Sequence, residues 1–188
     1  MNIPQLLANF RGTGPFLFAI LPVVVLAAAV VAIPRARRTG DPYRYALLLT
    51  ETEFLTSWSV LAIVLVGLRP GENPVVRPST LNLVPLDTIV HLAGSGGDAV
   101  ANLSLLTGNV LLFAPAAFFL TLRLPKVRIW QVAAFGGGLS LAVEALQLLF
   151  VTNRSASIDD VLLNTLGATL GALAARATHA LWRRLRAT

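Results

Sequence analysis

The sequence predicts an all-α integral membrane protein with about five transmembrane helices, and three observations carry that reading. Charged residues are only 13% of the chain and hydrophobic residues 55%, where a soluble domain carries about 25% charged residues. Mean hydropathy is +0.72. The apolar residues also fall in long runs, without the broken periodicity of a helix that keeps one face in water. Cysteine is absent, which removes disulfides, thiol nucleophiles and thiolate metal sites.

A bilayer core needs about 20 apolar residues per helix, and five segments qualify: 15–33, 45–68, 103–122, 129–150 and 158–182. The first is too long and too poor in preceding positive charge for a cleavable signal peptide. Pro34 and the basic residues behind it should end it. The second carries Glu51 and Glu53 near its start, either snorkelling to water or pairing with Arg44. The connection from 69 to 102 is the only long one, and Pro70, Pro74, Pro78, Gly94, Gly96 and Gly97 mark it as mostly irregular. Within it, Leu86, Ile89, Val90 and Ala93 follow Pro85 at helical spacing, which predicts a short amphipathic helix on the outer membrane face. His91 stands alone there and supports no metal or base assignment. With no internal repeat, residues 1–188 read as a single membrane domain.

Basic residues set the expected orientation. Arg35, Arg37, Arg38 and Arg44 follow the first span, Arg123, Lys126 and Arg128 the third, and Arg176, Arg183, Arg184 and Arg186 close the chain. Arg11, Arg69, Arg77 and Arg154 fall on the other side. The positive-inside rule then places the N-terminus outside and the C-terminus in the cytoplasm of a multi-pass cell-membrane protein. Trp130 and Trp182 fall near the inner boundary, at the level of an aromatic belt. This distribution accounts for the net charge of +6 without a nucleic-acid partner.

Depth along the helices brings polar residues to one layer. Glu144 is six residues inside the outer end of the fourth span, Asn164 six inside that of the fifth, and Asn109 at the same level of the third. Each is roughly 9 Å below the outer boundary. Arg154 lies in the loop above, and Asp159 and Asp160 open the fifth span. Gly137, Ser140, Glu144 and Gln147 share one stripe of the fourth span, and Asp160, Asn164, Gly167 and Gly171 one stripe of the fifth. The two stripes are expected to face each other, with the Gly167/Gly171 pair permitting close packing.

Each residue also has a plainer reading. Ser157 with Asp159 or Asp160 starts a helix in the manner of a capping box, and carboxylates suit the positive end of the helix dipole. The stripe assigns Asp160 to the cluster and leaves Asp159, about 100° around the helix, to the dipole and water. Asn109 and Gln147 suit hydrogen bonding between helices. Glu144 is harder to explain structurally. A carboxylate at that depth costs several kcal/mol unless paired, solvated or protonated, and Arg154 is its nearest partner in sequence.

These residues resemble the VanZ-like membrane protein family. "NVLLFAP" (109–115), "EALQ" (144–147), Arg154 and "IDDVLLNTLGATLG" (158–171) carry the resemblance, and "NLVPLDTI" (82–89) is similar to a segment the family carries before this core. It covers about 80–175. Ala117 departs from the pattern, standing where the family commonly has glycine. Asn109, Phe113, Pro115, Glu144, Gln147, Arg154, Asp160 and Asn164 match the family's motif positions. The family's namesake accompanies glycopeptide-resistance genes and is associated with low-level teicoplanin resistance. The resemblance therefore implies a cell-envelope context and supplies no reaction or cofactor.

Three functions fit. The first is a cell-envelope factor binding a lipid-linked cell-wall precursor or a glycopeptide at the outer leaflet; teicoplanin-type drugs carry an acyl chain, which suits a membrane-level site. The functional cluster is then Asn109, Glu144, Gln147, Arg154, Asp160 and Asn164, with Ser157 and Asp159 as helix cap. The second is an enzyme acting on an anionic lipid or precursor, with Glu144 as acid or base, Arg154 on the headgroup, and a hard cation as one option between Asp159, Asp160 and Glu144. No nucleophile–base pair supports it, and no metal site is assigned. The third is a transporter, disfavoured by the absence of repeats and of polar residues leading inward. The sequence favours the first.

Overall fold

All five apolar runs form helices. The computed structural model describes residues 13–68, 80–87, 90, 99–151 and 155–185. In it α1 spans Thr13–Thr39, α2 Tyr43–Gly67, α3 Ala99–Arg123, α4 Ile129–Phe150 and α5 Ile158–Leu185. Each contains a stretch long and apolar enough to cross a membrane. Two three-residue strands join them, β1 at Thr80–Asn82 before α3 and β2 at Ser155–Ser157 before α5. Arg11, Arg69, Arg77, His91, Arg154 and Arg186 lie outside the described residues.

The helix ends follow local chemistry, with one correction. Pro34 does not stop α1, which continues to Thr39. Proline removes one backbone donor, and the following residues, Arg35 to Thr39, keep the helix going. It ends where Gly40 adopts φ +72° and donates its N–H to the Ala36 carbonyl at 2.9 Å, the left-handed terminator that glycine accommodates without a Cβ clash. The longer α1 brings Arg35 beside α2. Glu53 therefore pairs with Arg35 (2.6 Å) and with Arg123 of α3 (2.7 Å), not with Arg44. This ion cluster ties three helices together at the arginine-rich end. There too, Arg176 Nη2 donates to the Val127 carbonyl at 2.5 Å, holding the α3–α4 connection on α5.

Helix α5 packs against both α3 and α4, and α2 packs between α1 and α3. The contacts use small residues. Gly167 and Gly171 of α5 meet the carbonyls of Val110 and Ala114 on α3, and Gly136 of α4 meets Ala168. The expected pairing of stripes is thus corrected: the two glycines approach α3, while Asn164 of that stripe bonds to Ser140 of α4. Without a hydrophobic drive between helices in lipid, backbones must come close enough for van der Waals contact, which small residues permit. Ala117 stays buried with Val132, Ala168 and Ala172. Phe113 fills a second cluster with Ile63, Ala116 and Val143. Hydroxyls within the helices return to their own backbone, as Thr50, Ser59, Thr165 and Thr169 do to the carbonyl four residues earlier. Leu26, Leu111, Leu149 and Phe150 point outward, as suits a lipid-facing surface.

The end opposite the arginines is closed by a parallel strand pair, with Thr80 opposite Ser155, Leu81 opposite Ala156 and Asn82 opposite Ser157. This ladder was not expected. The segment read as an amphipathic helix begins extended at β1, turns through Leu86 at φ +66°, and reaches a helical turn at Asp87, with Val90 N–H on the Leu86 carbonyl at 2.8 Å. Residues 88, 89 and 91–98 lie outside the described set.

Candidate functional site

Every described residue of the predicted layer is held by a specific bond, but the bonds run in different directions. Asn109 of α3 donates its side-chain amide to Asp160 Oδ1 at 2.6 Å. Asn164, one turn further along α5, donates to Ser140 Oγ of α4 at 2.8 Å. The stripe containing Asp160 and Asn164 therefore lies along the seam between α3 and α4, and its residues serve one neighbour or the other. Asn164 Oδ1 is buried without a hydrogen-bond partner among the described residues.

Glu144 is 8% exposed, and its Oε2 accepts the backbone N–H of Ser157 in β2 at 3.1 Å. That bond attaches the ladder to α4. Gln147, one turn on, donates to the Gly67 carbonyl at 2.7 Å. Gly67 ends α2, where the last carbonyls have no partner in their own helix. Gln147 therefore supplies to α2 what a terminal turn lacks. Where Arg154 stands relative to Glu144 lies outside the described residues.

Asp160 meets Asn109 of the predicted layer, whereas Asp159 has surroundings other than those expected of it. Ser157 does cap α5, its hydroxyl accepting the Asp159 N–H at 3.2 Å. The Asp159 side chain, however, is 0% exposed and accepts the Leu86 N–H at 2.5 Å. It faces protein, not water. The reason is the loop after β1, which folds over the start of α5 and brings the Leu86 N–H to this carboxylate. Asn82 shapes that loop, its carbonyl oxygen accepting from Val84 N–H at 3.1 Å and its amide donating to Asp87 at 2.9 Å. Asp160 is part-buried, so of the two it stays nearer the surface.

A shallow groove adjoins the Asn109–Asp160 pair. It has a volume of about 300 Å³ and is lined by Leu106, Thr107, Val110, Leu111 and Leu163. Leu106 is three residues before Asn109 and Leu163 three after Asp160, so each pair shares a helix face. A carboxylate–amide pair beside an apolar trough is suited to an amphiphile: a polar group bonds to the pair and a hydrocarbon chain lies along the trough. Sequence reasoning missed the backbone partners, the N–H groups of Leu86 and Ser157 and the carbonyl of Gly67. Main-chain groups leave no mark on residue type, and only the positions of the polar side chains could have pointed to them.

Five apolar helices around buried small-residue contacts, with polar side chains gathered near one end, define a multi-pass helical membrane protein. Residues 54–182 match the family model described as VanZ/LLP1. The chain belongs to the VanZ/LLP1 family, as the resemblance implied. Neither the curated proteins nor the solved structures compared with it gave a match.

Proposed function

We propose that this protein acts in the cell envelope by holding an amphiphilic ligand, a lipid-linked cell-wall precursor or an acylated glycopeptide, in the outer leaflet, and so alters glycopeptide susceptibility. The groove beside Asn109 and Asp160 is the observation that carries this reading. The positive-inside rule directs the groove end outward, and the acyl chain of a teicoplanin-type drug matches the apolar lining. Glu144 supports binding over acid–base catalysis, because one of its oxygens already accepts the Ser157 N–H. In this reading it holds the ladder that covers the site.

The test uses the full chain in lipid nanodiscs with an acylated glycopeptide and its deacylated counterpart as probes. Asp160→Asn should weaken binding of the acylated drug on the order of tenfold, the loss of one charge-assisted hydrogen bond. Leu163→Trp, which fills the groove, should reduce binding of the acylated probe only. Equal binding of the two probes by the unaltered chain would reject the proposal.

A further inference from the structure

The other end of the bundle holds a second pocket, of about 200 Å³, lined by Pro125, Arg176, His179 and Arg183. The last three recur at spacings of three and four on α5 and so share one face. Pro125 enters from the α3–α4 connection, which the Arg176–Val127 bond fixes in place. Among the described residues, no carboxylate lines the pocket. Arg176 Nε and His179 Nε2 are shut off from solvent and have no hydrogen-bond partner among the described residues. Basic residues in the last turn of a helix often serve only the negative end of its dipole. That accounts for Arg183. It does not account for two buried nitrogens without a partner on residues that line the pocket, because burying a polar group without a hydrogen bond is unfavourable.

Depth identifies the level. His179 is roughly 28 Å along α5 from Asp160, close to the ~30 Å thickness of a bilayer core. The pocket is therefore at the headgroup level of the leaflet opposite the Asn109–Asp160 pair. Two guanidinium groups and an imidazole, with no competing acid among the described lining residues, match a phosphate group, whose oxygens accept several charge-assisted bonds at once. We propose that this pocket binds a phosphate group, either as the headgroup of an anionic phospholipid or as inorganic phosphate. The site is separate from the groove and does not depend on its ligand.

Native mass spectrometry of the full chain in detergent tests the proposal, with phosphatidylglycerol, phosphatidylcholine and inorganic phosphate as probes. The unaltered chain should retain phosphatidylglycerol in preference to phosphatidylcholine. Arg183→Gln and His179→Gln should each weaken that retention on the order of tenfold. Arg183 is exposed, so its replacement leaves the packing intact and the result readable even if Arg176→Gln, which also releases Val127, disturbs the fold. Displacement of the lipid by millimolar phosphate supports free phosphate as the source; persistence of the lipid under phosphate supports the headgroup. Equal retention of the two lipids, or phosphatidylglycerol binding unchanged in both variants, overturns the proposal.

Discussion

The carboxylate of Asp159 accepts the backbone N–H of Leu86, a residue 73 positions earlier, at 2.5 Å. This bond fastens the loop after β1 to the start of α5, and it stands next to the ladder that joins β1 to β2. Asp159→Ala would leave the Leu86 N–H without that acceptor, at a cost of about 2 kcal/mol. Asp159→Asn keeps an acceptor oxygen and should lose less. Thermal unfolding in detergent measures both, and limited proteolysis should show cleavage near 84–86 in the alanine variant first. An unshifted unfolding temperature in Asp159→Ala would remove the bond from the account of how this end is held.

Leu86 takes φ +66°, a left-handed conformation that costs a residue with a Cβ about 1–2 kcal/mol. Its side chain is exposed, so little packing is lost when it is removed. Leu86→Gly should therefore stabilise the protein by about 1 kcal/mol. A destabilised variant would mean that the leucine side chain holds the loop by contact with lipid.

The glycines of α4 and α5 are not equivalent. A methyl group at Gly167 or Gly171 would overlap a backbone carbonyl of α3, and one at Gly136 would press on Ala168, whereas Gly138 has open space around it. Gly167→Ala and Gly171→Ala should each lower stability by about 2–3 kcal/mol or force α3 and α5 apart. Gly138→Ala should raise it by up to about 1 kcal/mol through helix propensity. Comparing the unfolding midpoints of the three variants checks this, and equal effects at 138 and 171 would refute the close approach.

At the arginine-rich end, Glu53 neutralises Arg35 and Arg123 together. All three side chains are about one-third exposed, so screening by water limits the gain. Glu53→Gln should cost about 1 kcal/mol, and high salt should narrow the difference from the unaltered chain. A double-mutant cycle with Arg123→Gln should return a coupling near that value.

Orientation is open to direct measurement. A reporter active only outside the cytoplasm should work when fused between residues 69 and 79 and stay silent after Gly40 or at the C-terminus. A signal from the C-terminal fusion would reverse the orientation proposed above and place the groove in the inner leaflet.

The helices were legible because nothing but length and apolarity is required of a lipid-spanning segment. A helix satisfies its own backbone wherever it lies in the bilayer, so runs such as 129–150 predict an element without reference to any neighbour. The depth of Asn109, Glu144 and Asn164 follows equally from counting residues along those helices. Partners did not follow from counting. Helix α5 has neighbours on two sides, and its polar stripe lies at their seam. Helical periodicity can put Asp160 and Asn164 on one face but cannot say that one bonds to α3 and the other to α4. Asp159 needed more still: its acceptor role exists only because a distant loop folds back through a parallel strand pair. Backbone N–H groups are common to every non-proline residue, so which of them a buried carboxylate meets is decided by the tertiary structure alone.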